Sequence, residues 1–280
     1  MSSVRKIICL ANSWKLKERC IAGIDIDTGK WVRPVCDSLY PEDGRVPSST
    51  RLINSTEPKL LDILEIPLAE TGNNFGFESE NLSILSGNWK LIGKALPYDI
   101  IKFCSESQYI LHNSEKFVNP SYLKRLPFEQ RQTLQLVKSS EFIITRAGNT
   151  WKGSIQLSNG QSLQNLTITD PFLVHKLDVG YEPPNQCFIV ISLSMPWAYE
   201  DWEGEEPCWK LIAGVIPDLF CQTDVEIQRV GWRVPQGRDY LARNFDKKSR
   251  RQLTFEELQH FLEYLQSLPS CQRVSSDDFF

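Results

Sequence analysis

Basic residues interleaved with aromatic rings are the chemistry this chain offers most plainly. A single nucleic-acid strand is held by cations on its phosphates and by flat rings on which its bases stack. Lys15, Lys17 and Arg19 flank Trp14, Lys30 and Arg33 flank Trp31, and Lys152 follows Trp151. From 229 to 251, eight Lys/Arg stand against two Asp, and Trp232, Tyr240 and Phe245 are interleaved with Arg233, Arg238 and Arg243. This stretch is the strongest of these signals. It also suits a solvated loop that balances the acidic run from Tyr199 to Glu206, or a docking face for an acidic partner. Trp31, on a hairpin, suits a barrel core as well as a ligand.

Catalysis finds little support. Asp25 and Asp27 lie two residues apart, as paired carboxylates would, but they abut a turn, where Asp bonds backbone amides. The sequence carries no G-x-S-x-G, H-E-x-x-H, P-loop or G-x-G-x-x-G pattern. Cys20 sits beside Arg19, yet its apolar neighbours and the lack of a nearby histidine favour an inert thiol. The eight cysteines contain no CxxC pair, and His112, His175 and His260 lie far apart. Zinc needs clustered ligands, so no metal and no cofactor are expected, and the chain reads as non-enzymatic.

Composition narrows the class. The 280 residues are 41% hydrophobic and 24% charged, enough to bury a sizeable core. A net charge of −4 argues against coating duplex DNA by bulk charge. No apolar run approaches the roughly 18 residues of a membrane span. The start, Met1 to Lys6, has no signal-peptide shape. The expectation is a cytoplasmic protein with no membrane contact.

The elements that would position these residues are mainly strands. Lys6 to Asn12 and Arg19 to Asp27 are apolar runs, and Asp27-Thr28-Gly29 turns the second into Lys30–Val35 as a hairpin. Pro34 belongs at an edge or a strand end. Residues 37–58 and 70–81 read as loops, Leu60–Leu68 and Trp89–Ala95 as strands, and 98–107 and 120–131 as short helices. Strand chemistry returns at Leu134–Val137, Phe142–Thr145, Trp151–Leu157 and Leu163–Thr169. Turns at Ala147-Gly148-Asn149 and Ser158-Asn159-Gly160 separate these runs, a spacing that suits a barrel or sandwich. A capping box at Thr254 and Glu257, with Leu253 stapled to Leu258, opens a C-terminal helix that Pro269 ends. Ser275 to Phe280 reads as a tail.

One pattern occurs twice. Ile7–Leu10 is followed by Asn12-Ser13-Trp14, a basic loop and Cys20-Ile21-Ala22-Gly23-Ile24. Cys187–Leu193 is followed by Ser194 and Trp197, an acidic loop, Cys208 and Ile212-Ala213-Gly214-Val215. It reads as an internal repeat relating the two halves.

The residues Cys9–Ser13, Arg19–Ile24 and Thr28–Val35 resemble the opening of the dual OB-containing domain family. Ile191-Ser192-Leu193 and Lys210–Gly214 are similar to its second-half signature, and the resemblance spans about residues 5–225. It implies two tandem OB-like β-barrels and nucleic-acid binding in prokaryotic systems of defence against mobile elements. It also implies functional positions at Ser13, Arg19 and Arg33 in the first half and at Ser192 and Lys210 in the second.

The expected architecture is therefore mainly β. One OB-like barrel covers 1–118 and another 119–224, joined by short helices, and 225–280 holds the basic segment and C-terminal helix. The leading reading is a module for single-stranded DNA or RNA, or structured nucleic acid. Ser13, Lys15, Lys17, Arg19, Arg33, Lys210, Trp232, Arg233, Arg238 and Arg243 form its candidate face. An adaptor that binds a protein partner, and an enzyme or sensor acting on a nucleotide, are the alternatives.

Overall fold

A computed structural model describes residues 3–104 and 107–271. The chain divides into two compact units, one of residues 1–95 with 102–217, the other of 96–101 with 218–280. The tail expected from Ser275 lies outside the described residues.

The first unit is built from strands. In its N-terminal half these are β1 (Ser3–Lys15), β2 (Glu18–Asp25), β3 (Trp31–Val35), β4 (Asp62–Leu68), β5 (Asn81–Ser83) and β6 (Lys90–Lys94), with a single helical turn, α1 (Ser48–Arg51), after β3. The sheet runs β5-β3-β2-β1-β4-β6. A bridge from Leu68 to Ile84 brings the end of β4 back to the chain just past β5. Backbone bonds from Ala69 N to Ser83 O (2.9 Å) and from Leu85 N to Pro67 O (3.0 Å) close the ring. The order around it is first, second, third, fifth, fourth strand, and the third and fifth run parallel. That is a five-stranded OB-type barrel. Ile7, Cys9, Ile21, Val32, Leu64, Ile66 and Leu68 fill it.

Pro34 sits where β3 has passed the end of its ladder with β2 and pairs only with β5. Its missing N–H therefore costs no bond. Asp25 closes the β2–β3 turn. Its Oδ1 accepts from the backbone N–H of Asp27 (2.9 Å) and of Thr28 (3.0 Å), which is the turn chemistry rather than the catalytic one.

The same topology recurs in β8 (Leu134–Ala147), β9 (Thr150–Leu157), β10 (Ser162–Ile168), β11 (Cys187–Leu193) and β12 (Cys208–Pro217), with α3 (Pro171–Asp178) between the third and fourth strands. The pairing β8-β9-β10-β12-β11-β8 is a closed ring, with β10 and β12 parallel. The runs 134–137 and 142–145 are one strand, bent by a bulge at Ser139–Glu141. Ahead of this barrel, β7 (Phe117–Val118) pairs with β12, and α2 is only Pro120–Arg125.

The repeated sequence pattern does not relate one barrel to the other. Ile21-Ala22-Gly23 lies on the second strand of the first barrel, Ile212-Ala213-Gly214 on the fifth strand of the second. The halves share a fold, but the expected repeat does not relate them: the pattern marks two hairpins, β1–β2 and β11–β12, and β1 and β12 pack against each other. Each hairpin has a bulge beside its Ala-Gly pair, on the strand opposite the pair in the first and on the pair's own strand in the second. Leu10 is the extra residue between the pairs Cys9–Gly23 and Ala11–Ala22, and Ala213 between Val190–Gly214 and Ile191–Ile212. Both glycines are needed for close backbone approach. A Cβ on Gly23 would fall 2.0 Å from Ile8 O, and one on Gly214 would fall 2.2 Å from Leu10 O of the first barrel.

The second unit is helical. Its helices are α4 (Leu219–Arg229), α5 (Val234–Phe245) and α6 (Phe255–Ser267), around Leu219, Leu241, Leu253, Leu258, Phe261, Leu262 and Leu265. The capping box is present, with Glu257 N donating to Thr254 Oγ1 (3.1 Å) and Thr254 N to Glu257 Oε2 (2.9 Å). Residues 229–251, read from sequence as a basic segment, are mostly the end of α4 and all of α5.

Candidate nucleic-acid interface

In an OB fold the loop joining strands one and two and the loop joining strands four and five border the ligand face. In the first barrel these are Leu16-Lys17 and residues 69–80. Leu16 and Lys17 have φ of 46° and 71°, the left-handed pair of a two-residue hairpin turn. The turn lifts Trp14 to the surface, where it is 51% exposed. The guanidinium of Arg19, the residue opposite it on β2, lies 3.8 Å from the Trp14 ring centroid. One indole face is thus occupied by a cation. The backbone N–H of Trp14 donates to Thr169 O at 2.8 Å, which fixes the hairpin to the second barrel.

Arg19 itself is buried, and its Nε and Nη1 have no hydrogen-bond partner among the described residues. Its nearest carboxylate, Glu57, stands 3.9 Å away and is already bound by Arg51 at 2.8 Å. Burial pushes the Arg19 guanidinium below its ordinary value, and Glu57 opposes the shift. Lys15 Nζ donates to Asp43 O (2.6 Å) and lies 6.0 Å from the Phe75 ring of the 69–80 loop. Lys17 is exposed. Ser13 is buried, its hydroxyl turned to Cys20 O at 3.5 Å.

Two expected phosphate ligands are interior cations instead. Arg33 is 2% exposed. Its Nη1 lies 2.7 Å from Glu78 Oε1 and donates to Asn81 Oδ1 (3.2 Å), and its Nη2 donates to Thr133 Oγ1 (2.9 Å). Glu80 accepts from the backbone N–H of Thr133 at 2.6 Å. This network locks the first barrel to the start of β8. Burial alone would depress Arg33, but Glu78 overrides it and holds the guanidinium above its ordinary value. Burial raises the Glu80 carboxyl, with Arg33 opposing. Lys210 is also 2% exposed, its Nζ donating to Asn113 O (2.7 Å) and Oδ1 (3.0 Å). Burial pushes it down to about 7. Ser192 is buried and donates to Leu193 O at 3.2 Å.

The helical unit keeps its cations outside. Arg233, Arg238 and Arg243 are exposed and form no ion pair among the described residues. Arg229 and Arg250 are held by Glu226 and Asp224, both at 2.5 Å. Trp232 is half-buried and packs on Tyr240, Phe261 and Tyr264 at centroid distances of 5.9, 6.3 and 6.0 Å. It belongs to the aromatic core of this unit.

A family model, the dual OB-containing domain, matches residues 5–215. The chain belongs to the dual OB-containing domain family. The two closed rings described above are the barrels that name implies. The Synechocystis protein slr1353 is 38% identical over 52 residues, covering 19% of this chain and 18% of that protein. The chain therefore spans under a fifth of that relative. Among solved structures, the tetrameric HIN2 domain covers 75% of this chain and 91% of its own, at 9% identity and a TM-score of 0.26. The HINb domain covers 75% and 97%, at 8% identity and a TM-score of 0.28. Likeness at that level says nothing about a ligand.

In this dual OB protein two cavities open on the barrel unit. One of 370 Å³ is lined by His112, Glu129, Tyr109 and four glutamines, and His112 Nε2 is engaged by Gln132 O at 2.6 Å. The other, 520 Å³, is lined by Ser38, Thr50, Asn54, Asn88 and Trp89 among others. Neither adjoins the Trp14 hairpin. Phe75 is the residue of the candidate face that sequence reading missed; only the closure of the barrel brings its loop beside Lys15.

Proposed function

We propose that this protein is a non-enzymatic module that binds single-stranded or structured nucleic acid, as a component of a prokaryotic defence-type complex in the cytoplasm. The observation that carries the reading is the β1–β2 hairpin tip. There a half-exposed Trp14 is backed by Arg19, and Lys15 and Lys17 follow it in the chain, at a loop that borders the ligand face of OB folds. An indole with one face against a guanidinium offers the other to a base, and the lysines offer charge to the flanking phosphates. The exposed Arg233, Arg238 and Arg243 give the helical unit phosphate contacts of its own. Cys9, Cys36, Cys187 and Cys208 are buried as small core residues, a use of cysteine that suits a reducing compartment. The system-level role follows from the family resemblance.

Anisotropy titration of the full chain with labelled single-stranded DNA and RNA at low ionic strength tests this. Binding is expected to weaken steeply with salt. Trp14→Ala should weaken it about tenfold, since one base–aromatic stack contributes about 1–3 kcal/mol. No binding of either strand at low salt, or binding indifferent to both Trp14→Ala and Lys17→Glu, would overturn the proposal.

A further inference from the structure

The loop between the fourth and fifth strands of the second barrel, residues 194–207, occupies the place that the 69–80 loop holds in the first. It carries a different chemistry. Trp209 lies at the centre of an aromatic cluster, 5.6 Å from Phe117, 5.7 Å from Trp197, 5.6 Å from Tyr199 and 5.3 Å from Trp202 between ring centroids. The cluster is built rather than collapsed. Trp209 Nε1 donates to Trp197 O (2.9 Å) and Trp202 Nε1 to Glu205 O (3.0 Å). Trp209 N bonds Ser194 Oγ (2.9 Å), and Trp197 N bonds Pro207 O (3.2 Å). Yet Trp197 is 42% exposed and Tyr199 60%. A hydrogen-bonded loop thus holds large rings in water.

The same loop carries Glu200, Asp201, Glu203, Glu205 and Glu206, all exposed. Glu205 accepts from Ser121 N at 3.0 Å. The other four form no ion pair among the described residues. Carboxylates repel phosphate, so this face is closed to the nucleic-acid strand proposed for the first barrel. Aromatic faces attract cations through their quadrupole, and free carboxylates add directional hydrogen bonds to Arg and Lys. Rings and charges therefore select one kind of occupant.

We propose that the 194–207 loop is a docking face for an extended Arg/Lys-bearing segment of a partner protein, whose cations stack on Tyr199 and Trp197 and pair with Glu200, Asp201, Glu203 and Glu206. The dual OB pair then has two faces of opposite sign: one for a nucleic-acid strand, one for a basic protein segment.

The test uses the full chain and a fluorescein-labelled Arg/Lys nonapeptide, read by anisotropy, with thermal melting and sedimentation as controls. The peptide is expected to bind at low salt. Glu200→Gln with Asp201→Asn, Glu203→Gln and Glu206→Gln should weaken it about tenfold or more, and so should Trp197→Ser with Tyr199→Ser. Tyr199→Phe, which keeps the ring, should bind as the native chain does. Peptide binding that survives the ring variant reduces the effect to bulk charge and overturns the proposal. So does the absence of peptide binding, or a native chain that self-associates through these residues, since a second copy then fills the face. The ring variant's melting temperature, unchanged from the native chain, shows that lost binding is not lost fold.

Discussion

Arg33 and Lys210 are both withdrawn from solvent. Each is a cation beside aromatic or polar neighbours in sequence, and each is interior in the fold. Arg33 is compensated by Glu78; removing it strands that carboxylate and leaves Glu80 without its nearest cation. Arg33→Met should therefore destabilise the protein by about 3–5 kcal/mol, read as a lower urea midpoint at unchanged m. If it left stability intact and abolished oligonucleotide binding, Arg33 would be a ligand contact after all. Lys210 has a different signature. Its folded value, about 7, lies below the ordinary 10.5 of an unfolded chain. Between these values the unfolded state binds more protons, so stability rises with pH from about 7 towards 10.5, and the burial penalty is full below 7. Lys210→Met should flatten that rise; urea midpoints of both proteins across this window measure it. Charge and neighbours are legible in a sequence at this scale, but burial is not, because it depends on what packs on the other side of the strand.

Hairpins, turns and caps were legible to different degrees. The Asp25–Gly29 turn and the Thr254–Glu257 box were readable because their side chains bond the adjacent backbone, a strictly local event. Thr254→Ala should cost about 1 kcal/mol, visible in the melting of the helical unit. The Leu16-Lys17 turn was not readable, since neither residue favours positive φ. Leu16→Asn should relieve that strain and stabilise the protein by about 1 kcal/mol, read as a higher urea midpoint. A loss of stability would show that Leu16 makes packing contacts that outweigh its backbone. Gly214 acts across elements. Gly214→Ala drives a methyl into Leu10 O, so a loss of about 3 kcal/mol or more is expected by denaturation, with the β1–β12 packing the first to open. In sequence the single strand 134–147 reads as two, because its bulge places polar Ser139, Ser140 and Glu141 in mid-run.

For the whole molecule, a net charge of −4 conceals opposite surfaces. Neutralising Arg233, Arg238 and Arg243 together to glutamine should reduce the slope of log affinity against log salt by about 2, at roughly 0.7 per phosphate on a single strand. A salt series on the triple variant measures this, and an unchanged slope would remove the helical unit from the proposed interface. The composition, the strand runs and the Cys9–Val35 signature determined by themselves that the chain is mainly β, a pair of OB-like units followed by a basic segment and a C-terminal helix, and where its cations and rings stand in order. Those are properties of local pattern. Only the tertiary structure decided that the repeated Ile-Ala-Gly hairpins are neighbours across the barrel contact rather than counterparts. It alone withdrew Arg33 and Lys210 into the interior and left Trp14 on Arg19 at the surface. Ring closure pairs strands far apart in sequence, and that pairing, not residue type, sets which face of each strand meets water.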